Sequence, residues 1–293
     1  MPEMDGFEAT RAIRKSDLAH NSDIPIVAMT GYTGNESREA CLAAGMNGYV
    51  PKPVEKEVMV EVLARWTWEK KSLRREQMAD LTELKARVEA LRKRDWDRAG
   101  IRARLKAFSE KGIPEKRLDA AFIAASKEEI LDRVQLRGEE YEYESHNCAK
   151  GSALAVMEEF GLGKDMEIIK ALSPFPGFGM TGWICGGVTG GLMALGLYFG
   201  SNDATNYSAT GRAMTAAREF IPRFEKVFGT VLCPKIHEEV IFDRYMDPRA
   251  SDENFDAFKE AQGYERCALP PGIGARIAAE IIIESMEKKT GID

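Results

Sequence analysis

The sequence predicts three pieces in order: an α/β remnant over residues 1–66, a helical connector over 67–125 and an all-α, cysteine-containing helical domain over 126–293. Three observations carry this division. Short apolar runs alternate with helical patterns only in the first stretch, as in a parallel sheet. A stretch rich in Glu, Lys, Arg, Leu and Ala follows from Glu69 to Arg98, without Pro or Gly, and reads as a long helix. The third is ALSPFPGFGMTGWICGGVTGGLMALGLYFGSN (Ala171 to Asn202), with no charged residue between Lys170 and Asp203 in a chain that is 30% charged. That stretch reads as the buried centre of a domain with a thiol, Cys185, at one helix end.

The totals bound the function. The chain has 293 residues, of which 44% are hydrophobic, enough for a real core. Its net charge of −6 argues against nucleic acid as a partner. Five cysteines without a signal-like N-terminus point to a reducing, cytoplasmic setting, where they serve as thiols, redox pairs or metal ligands. The apolar part of the charge-free run, Trp183 to Phe199, is near the lower limit for a membrane span and lacks immediately flanking Lys or Arg. It reads as a buried helix, with Gly186/Gly190 and Gly187/Gly191 suited to close helix packing.

In the first piece, Gly6 to Lys15 reads as a helix, Ile24 to Met29 as a buried strand, and Asn35 to Ala44 as a helix ended by Gly45. Gly48 to Val50 is a brief strand and Glu55 to Trp68 a third helix; Cys41 reads as a small buried hydrophobe. The motifs MPEMDGFEATRAIR (Met1 to Arg14), PIVAMT (Pro25 to Thr30) and AGMNGYVPKP (Ala44 to Pro53) resemble the C-terminal half of a flavodoxin-like response-regulator receiver domain. The resemblance implies that Thr30 is the hydroxyl that contacts a phosphoryl group, Lys52 the lysine that pairs with it and Tyr49 the aromatic that swings on activation. That family places its phosphorylated aspartate three residues before the Met of the M-P pair, ahead of Met1, and Asp5 is a loop residue. The expectation is a fragment of a longer hybrid protein, or a start assigned at an internal Met, with a histidine kinase as partner of the full receiver. A non-phosphorylatable dimerisation piece is the other reading.

In the connector, Leu81, Leu84, Val88 and Leu91 form an a/d seam about two heptads long. Two readings stay open: a homodimer through this helix, or a helix packed on its own domain. Gly112-Ile113-Pro114 breaks the helix, and two more are expected, Glu115 to Ala125 and Lys127 to Arg137. Ser126 with Glu129 forms a capping box and Gly138 suits the stop. Asp203 to Arg212 and Pro248 to Gly263 read as loops.

Each of Cys148, Cys185, Cys233 and Cys267 falls at or just before a predicted helix start. Free N–H groups and a partial positive charge there stabilise a thiolate, the form that attacks disulfides and binds metals. HNCAKG around Cys148, GFGM (Gly177 to Met180), CGGVTGG (Cys185 to Gly191) and the later Cys233 and Cys267 resemble a family of redox-active proteins named for the pattern C…GCAxxG…C…C. The one departure is Gly187, where the family core has Ala. The resemblance implies redox chemistry through the four cysteines and names no substrate.

Three chemistries remain open from the residues. The cysteines cycle between dithiol and disulfide with a redox partner protein. They hold an iron–sulfur cluster or zinc as four thiolates, although wide spacing does not favour this. Or they are small buried residues, or sensors of redox state or metal in a signalling or scaffold protein without catalysis. His146 and His237 are candidates for a base or a substitute ligand, with a surface or capping position the more ordinary expectation. Trp183, Phe175 and Phe178 are expected in the core. No G-x-G-x-x-G follows a strand in this half, so a Rossmann-type cofactor site is not indicated.

Overall fold

The computed structural model describes residues 5–15, 24–31, 40–54, 58, 59, 62, 81–116, 119–163 and 166–290. The chain divides into two compact units, Met1–Glu76 and Gln77–Asp293.

In the first unit, α1 (Gly6–Lys15) matches its expected bounds. Asp5 opens it: Asp5 Oδ1 accepts from the Glu8 N–H at 2.8 Å, and Glu8 reaches back to the Asp5 N–H at 3.2 Å. The two expected strands, β1 (Val27–Thr30) and β2 (Gly48–Pro51), form a parallel pair with Val27 opposite Gly48 and Thr30 opposite Pro51. Arg14 fastens α1 to the loop ends, donating to the carbonyls of Gly45 and Ile24 and to Asn47 Oδ1. Cys41 is buried as a small hydrophobe. Half of the helix expected over 35–44, and all but three residues of the one over 55–68, lie outside the described residues.

The second unit is helical. Its described elements are α2 (Leu81–Arg92), α3 (Arg98–Lys111), α4 (Ala120–Ala125), α5 (Lys127–Ser145), α6 (Cys148–Phe160), α7 (Glu167–Ala171), α8 (Gly186–Phe199) and α9 (Tyr207–Phe228), followed by α10 (Cys233–Ile236), α11 (Asp252–Glu260), α12 (Gly263–Arg266) and α13 (Leu269–Thr290). A π-helical turn, His237–Ile241, continues α10. Helices α5, α6, α8 and α13 pack on one another, and α9 covers α8 and α13. Val134, Val156, Val188 and Ile282 are fully buried where they meet. Each such side chain is worth about 1.5–3 kcal/mol of burial.

Glycine sets how closely these helices approach. Gly138 was expected to end α5, yet the helix runs on to Ser145. A Cβ on Gly138 would lie 2.9 Å from both the Gly272 Cα and the Pro271 carbonyl oxygen, so the glycine is a packing position for α13. Gly187 works the same way, since a Cβ there would lie 2.6 Å from the Pro270 carbonyl oxygen. The charge-free segment is thus a 14-residue helix inside a bundle, and no helix among the described residues is long and apolar enough to cross a membrane.

Two other expectations change. The a/d seam is filled by its own chain: Leu84, Val88 and Leu91 are buried in the same core as α5 and α13. Residues 69–80 of the expected long helix lie outside the described residues. Asp203 to Arg212 is not all loop, because α9 begins at Tyr207, capped by Asn206. Its apolar face, Ala216, Phe220, Phe224 and Phe228, repeats every four residues, and that periodicity outweighs the internal Pro222. Likewise α11 occupies much of 248–263, opened by the Ser251 side chain.

Candidate functional site

Three cysteines occupy helix starts. Cys148 is the first residue of α6, after the Asn147 cap whose side chain accepts from the Lys150 N–H at 3.0 Å. Cys185 is the cap of α8, and Cys233 is the first residue of α10 with Pro234 behind it. Their two segments are tied together: the Cys185 N–H donates to the Val231 carbonyl and the Cys233 N–H to the Trp183 carbonyl, both at 2.8 Å. Cys267 ends α12 and stands two residues before α13, which begins at Leu269 with Pro270 and Pro271 in its first turn.

The fold brings the four thiols together as two sets. The Cys148 thiol neighbours that of Cys185, whose presence raises its proton affinity. Gly186 makes room for this, because a Cβ at that position would collide with the Cys148 sulfur. In the second set both sulfurs contact the His237 ring, with Nε2 3.7 Å from Cys233 Sγ and 3.4 Å from Cys267 Sγ. His237 is buried, which corrects the expectation of a surface or capping place. His146 does cap: it ends α5 in the left-handed region at φ 53°, and its ring stacks on Tyr264 at 3.7 Å between centroids.

A cavity of about 420 Å³ joins the sets, walled by Cys148, Cys233, Cys267, His237, Glu142 and Tyr264, among others. Cys148 and Cys267 keep partial solvent access and line this cavity, while Cys185 is buried. Trp183 and Phe178 are not core residues as expected; they are 62% and 43% exposed. Phe175 is partly buried against the core.

Burial acts on the protons of these groups. The neighbouring Cys185 thiol, then burial, holds the Cys148 thiol well above its ordinary range. Burial raises Cys233 to about 12 and also holds Cys267 well above its ordinary range. At these three positions desolvation of a charged sulfur opposes the thiolate that a helix start would favour. Burial also lowers His237 to about 4, so the imidazole is neutral at pH 7.

Sequence reasoning missed Glu142. It sits in the acidic run of Glu139, Glu140, Glu142 and Glu144 on α5, where nothing in the pattern sets it apart. The fold does. Glu139 pairs with Arg94, Glu140 with Arg104 and Arg137, and Glu144 with Arg98 and Arg102. Glu142 is 4% exposed, lines the cavity, and its Oε2 has no hydrogen-bond partner. Burial raises its carboxyl to about 8.

Among the described residues, no group of three or more His, Cys, Asp or Glu side chains is arranged as it stands to hold a metal ion. The Cys148, Cys233 and Cys267 sulfurs nevertheless act on one another electrostatically, and two of them meet the His237 ring.

In the first unit, the Lys52 N–H donates to the Thr30 carbonyl at 2.7 Å, so the two receiver-like residues stand at adjacent strand ends. Tyr49 lies opposite Ala28 and is 37% exposed; Lys52 is exposed.

Comparison with known proteins agrees with this layout. Residues 1–64 match the response regulator receiver domain, and 146–281 match the family described as "Putative redox-active protein (C_GCAxxG_C_C)". The chain is similar to Histidine kinase 1 of Arabidopsis thaliana, 40% identical over 67 residues, covering 23% of this chain and 6% of that protein. It is also similar to Sensor protein GacS of Pseudomonas syringae pv. syringae, 38% identical over 68 residues, covering 23% of this chain and 8% of that protein. The chain thus spans less than a tenth of the length of either relative. No solved structure matches it. The two family matches thus account separately for the helical unit, over 146–281, and for the N-terminal segment, over 1–64.

Proposed function

We propose that the helical unit carries out thiol–disulfide exchange, with Cys148 as the attacking thiol and Cys185 as the resolving one. The observation that supports it is geometric: the residue after Cys185, Gly186, packs so closely on the Cys148 sulfur that a Cβ there would collide with it, at a cavity where Cys148 keeps partial solvent access and Cys185 is buried. In the forward direction, Cys148 gives up its proton and attacks one sulfur of a substrate disulfide. A mixed disulfide forms, and the departing sulfur takes up a proton. Cys185 then attacks the Cys148 sulfur, closing the Cys148–Cys185 bond and releasing the second substrate thiol with the Cys185 proton. The pair loses two electrons and two protons, and the substrate gains both. Cys233 and Cys267, both in contact with a neutral His237, form a second set that holds protons near the reacting sulfurs.

The receiver-family segment, and the histidine kinases to which the chain is similar, support placing this chemistry in a phosphorelay with a histidine kinase as partner, in the cytoplasm. The rival is an iron–sulfur or zinc centre, which the sulfurs and the His237 imidazole are chemically able to bind.

The test is a thiol count and an iron and zinc assay on anaerobically purified protein, before and after a small disulfide oxidant. The expected result is the loss of two thiols and no stoichiometric metal. Near-stoichiometric iron or zinc that falls in a Cys185→Ser variant would overturn the reading in favour of a metal centre.

A further inference from the structure

Glu142 is the residue of the cavity that thiol exchange leaves unexplained. A buried carboxyl without a partner costs free energy, and native structures rarely leave one so. On the same helix, Glu139, Glu140 and Glu144 each have an arginine, supplied by α5 itself or by the segment from Arg94 to Arg104. Glu142 shares the cavity wall with the thiols of Cys148, Cys233 and Cys267, the Tyr264 hydroxyl, the His146 and His237 rings and the Arg249 side chain. The three thiols, the tyrosine and the two imidazoles are neutral at pH 7. Arg249 is the cation of this wall, yet burial alone sets the Glu142 proton affinity and the Glu142 Oε2 has no partner. The fold thus provides an acid with one free oxygen in the wall of a cavity that also holds the attacking thiol, and forms no ion pair with it.

We propose that the cation Glu142 lacks belongs to the substrate: the cavity takes a low-molecular-weight disulfide, or the matching thiol, that carries a protonated amine, and the ammonium group pairs with Glu142 while a sulfur meets Cys148. The cavity, at about 420 Å³, is the size of a small-molecule site. Cys148 is approached through it, which suits a free small disulfide better than one held in a folded protein. An ammonium beside Glu142 draws the carboxyl into its ionised form, and the pair is a charge-assisted hydrogen bond in a desolvated place. This inference rests on the thiol-exchange reading for its chemistry but not for its binding.

The experiment compares cystamine, with an ammonium at each end, with bis(2-hydroxyethyl) disulfide, uncharged and of the same length, and with insulin as a protein disulfide. The rate read is loss of the Cys148 and Cys185 thiols. A hydrogen bond to a charged group is worth about 1.5–3 kcal/mol, so cystamine is expected to react roughly 10- to 100-fold faster than the hydroxyethyl compound. This preference is counted beyond the ratio the two disulfides show with a free small thiol, since the cystamine half is the better leaving group. In Glu142→Gln the ratio falls to that intrinsic value, and insulin reacts slowest with either protein. A wild-type ratio at the intrinsic value, or an unchanged ratio in the variant, would overturn the proposal; so would insulin matching cystamine. A measurement on unaltered protein stands beside these: 1,6-diaminohexane, which has no sulfur, should slow alkylation of Cys148 by iodoacetamide, and 1,6-hexanediol should not. Protection by the diamine with no oxidation by any disulfide would sink thiol exchange and keep the amine site. Oxidation without amine preference or protection would do the reverse.

Discussion

The two thiol sets differ in whether an imidazole joins them. Cys148 and Cys185 act on each other thiol to thiol, whereas Cys233 and Cys267 both contact the His237 ring, 3.7 and 3.4 Å from its Nε2. Cys148 in the first set and Cys233 and Cys267 in the second are all held above the ordinary thiol range, so acidity does not separate them. Geometry does. In the first set Cys148 combines a neighbouring thiol with access to the cavity, whereas both thiols of the second set contact an imidazole. The difference teaches that four cysteines in one motif need not sit in equivalent surroundings, and the proposed exchange assigns reaction to the first set.

The sharpest way to break this comparison is to remove one sulfur from each set. Cys185→Ser is expected to abolish the two-thiol loss on oxidation, leaving Cys148 as a mixed disulfide that mass spectrometry detects. Cys267→Ser should leave the two-thiol loss in place. Equal effects of the two substitutions would mean that the sets are not distinct.

A smaller effect tests the packing that sets the first pair. Gly187→Ala restores the residue found at that place in the family pattern, but here a Cβ would lie 2.6 Å from the Pro270 carbonyl oxygen. Overpacking of this kind costs about 1–3 kcal/mol, read as a lowered denaturant midpoint. An unchanged midpoint would show that α13 shifts freely.

The pH dependence of stability separates the acid from the imidazole. Glu142 titrates near 4.5 ordinarily and at about 8 when folded. The folded chain keeps a proton that the unfolded chain has lost, so this stability is present below 4.5 and is lost as pH rises to about 8. His237 runs the other way, from 6.5 ordinarily to about 4 folded, so its stability is present above 6.5 and is lost as pH falls toward 4. Between about pH 6.5 and 8 Glu142 is the one of the two still acting, and wild type should lose about 2 kcal/mol that Glu142→Gln does not. Parallel stability curves for the two proteins would contradict the burial of an unpaired acid.

Much of this was legible in the sequence, and the exceptions share a cause. Asn147 before Cys148, and Pro234 after Cys233, are local signals, so helix starts at these thiols could be read from neighbours in the chain. The strands at Val27–Thr30 and Gly48–Pro51 were equally plain as short apolar runs. Gly138 misled because its local meaning, a helix stop, gave way to a distant one, the approach of Pro271 and Gly272. His237 misled because a lone histidine reveals its surroundings only when Cys233 and Cys267 close around it. Glu142 carries no signal at all, since the arginines that distinguish it from Glu139, Glu140 and Glu144 come largely from outside α5. Helix-start thiols also suggested acidity, which burial, a tertiary property, opposes.

The central claim is that Cys148 and Cys185 form the working pair. Its most direct test is peptide mapping of the wild-type protein under non-reducing conditions, after anaerobic oxidation by one equivalent of a small disulfide. The account predicts a single new cross-link, between the peptides of Cys148 and Cys185. A cross-link joining Cys233 to Cys267, with Cys148 and Cys185 left as free thiols, would contradict it.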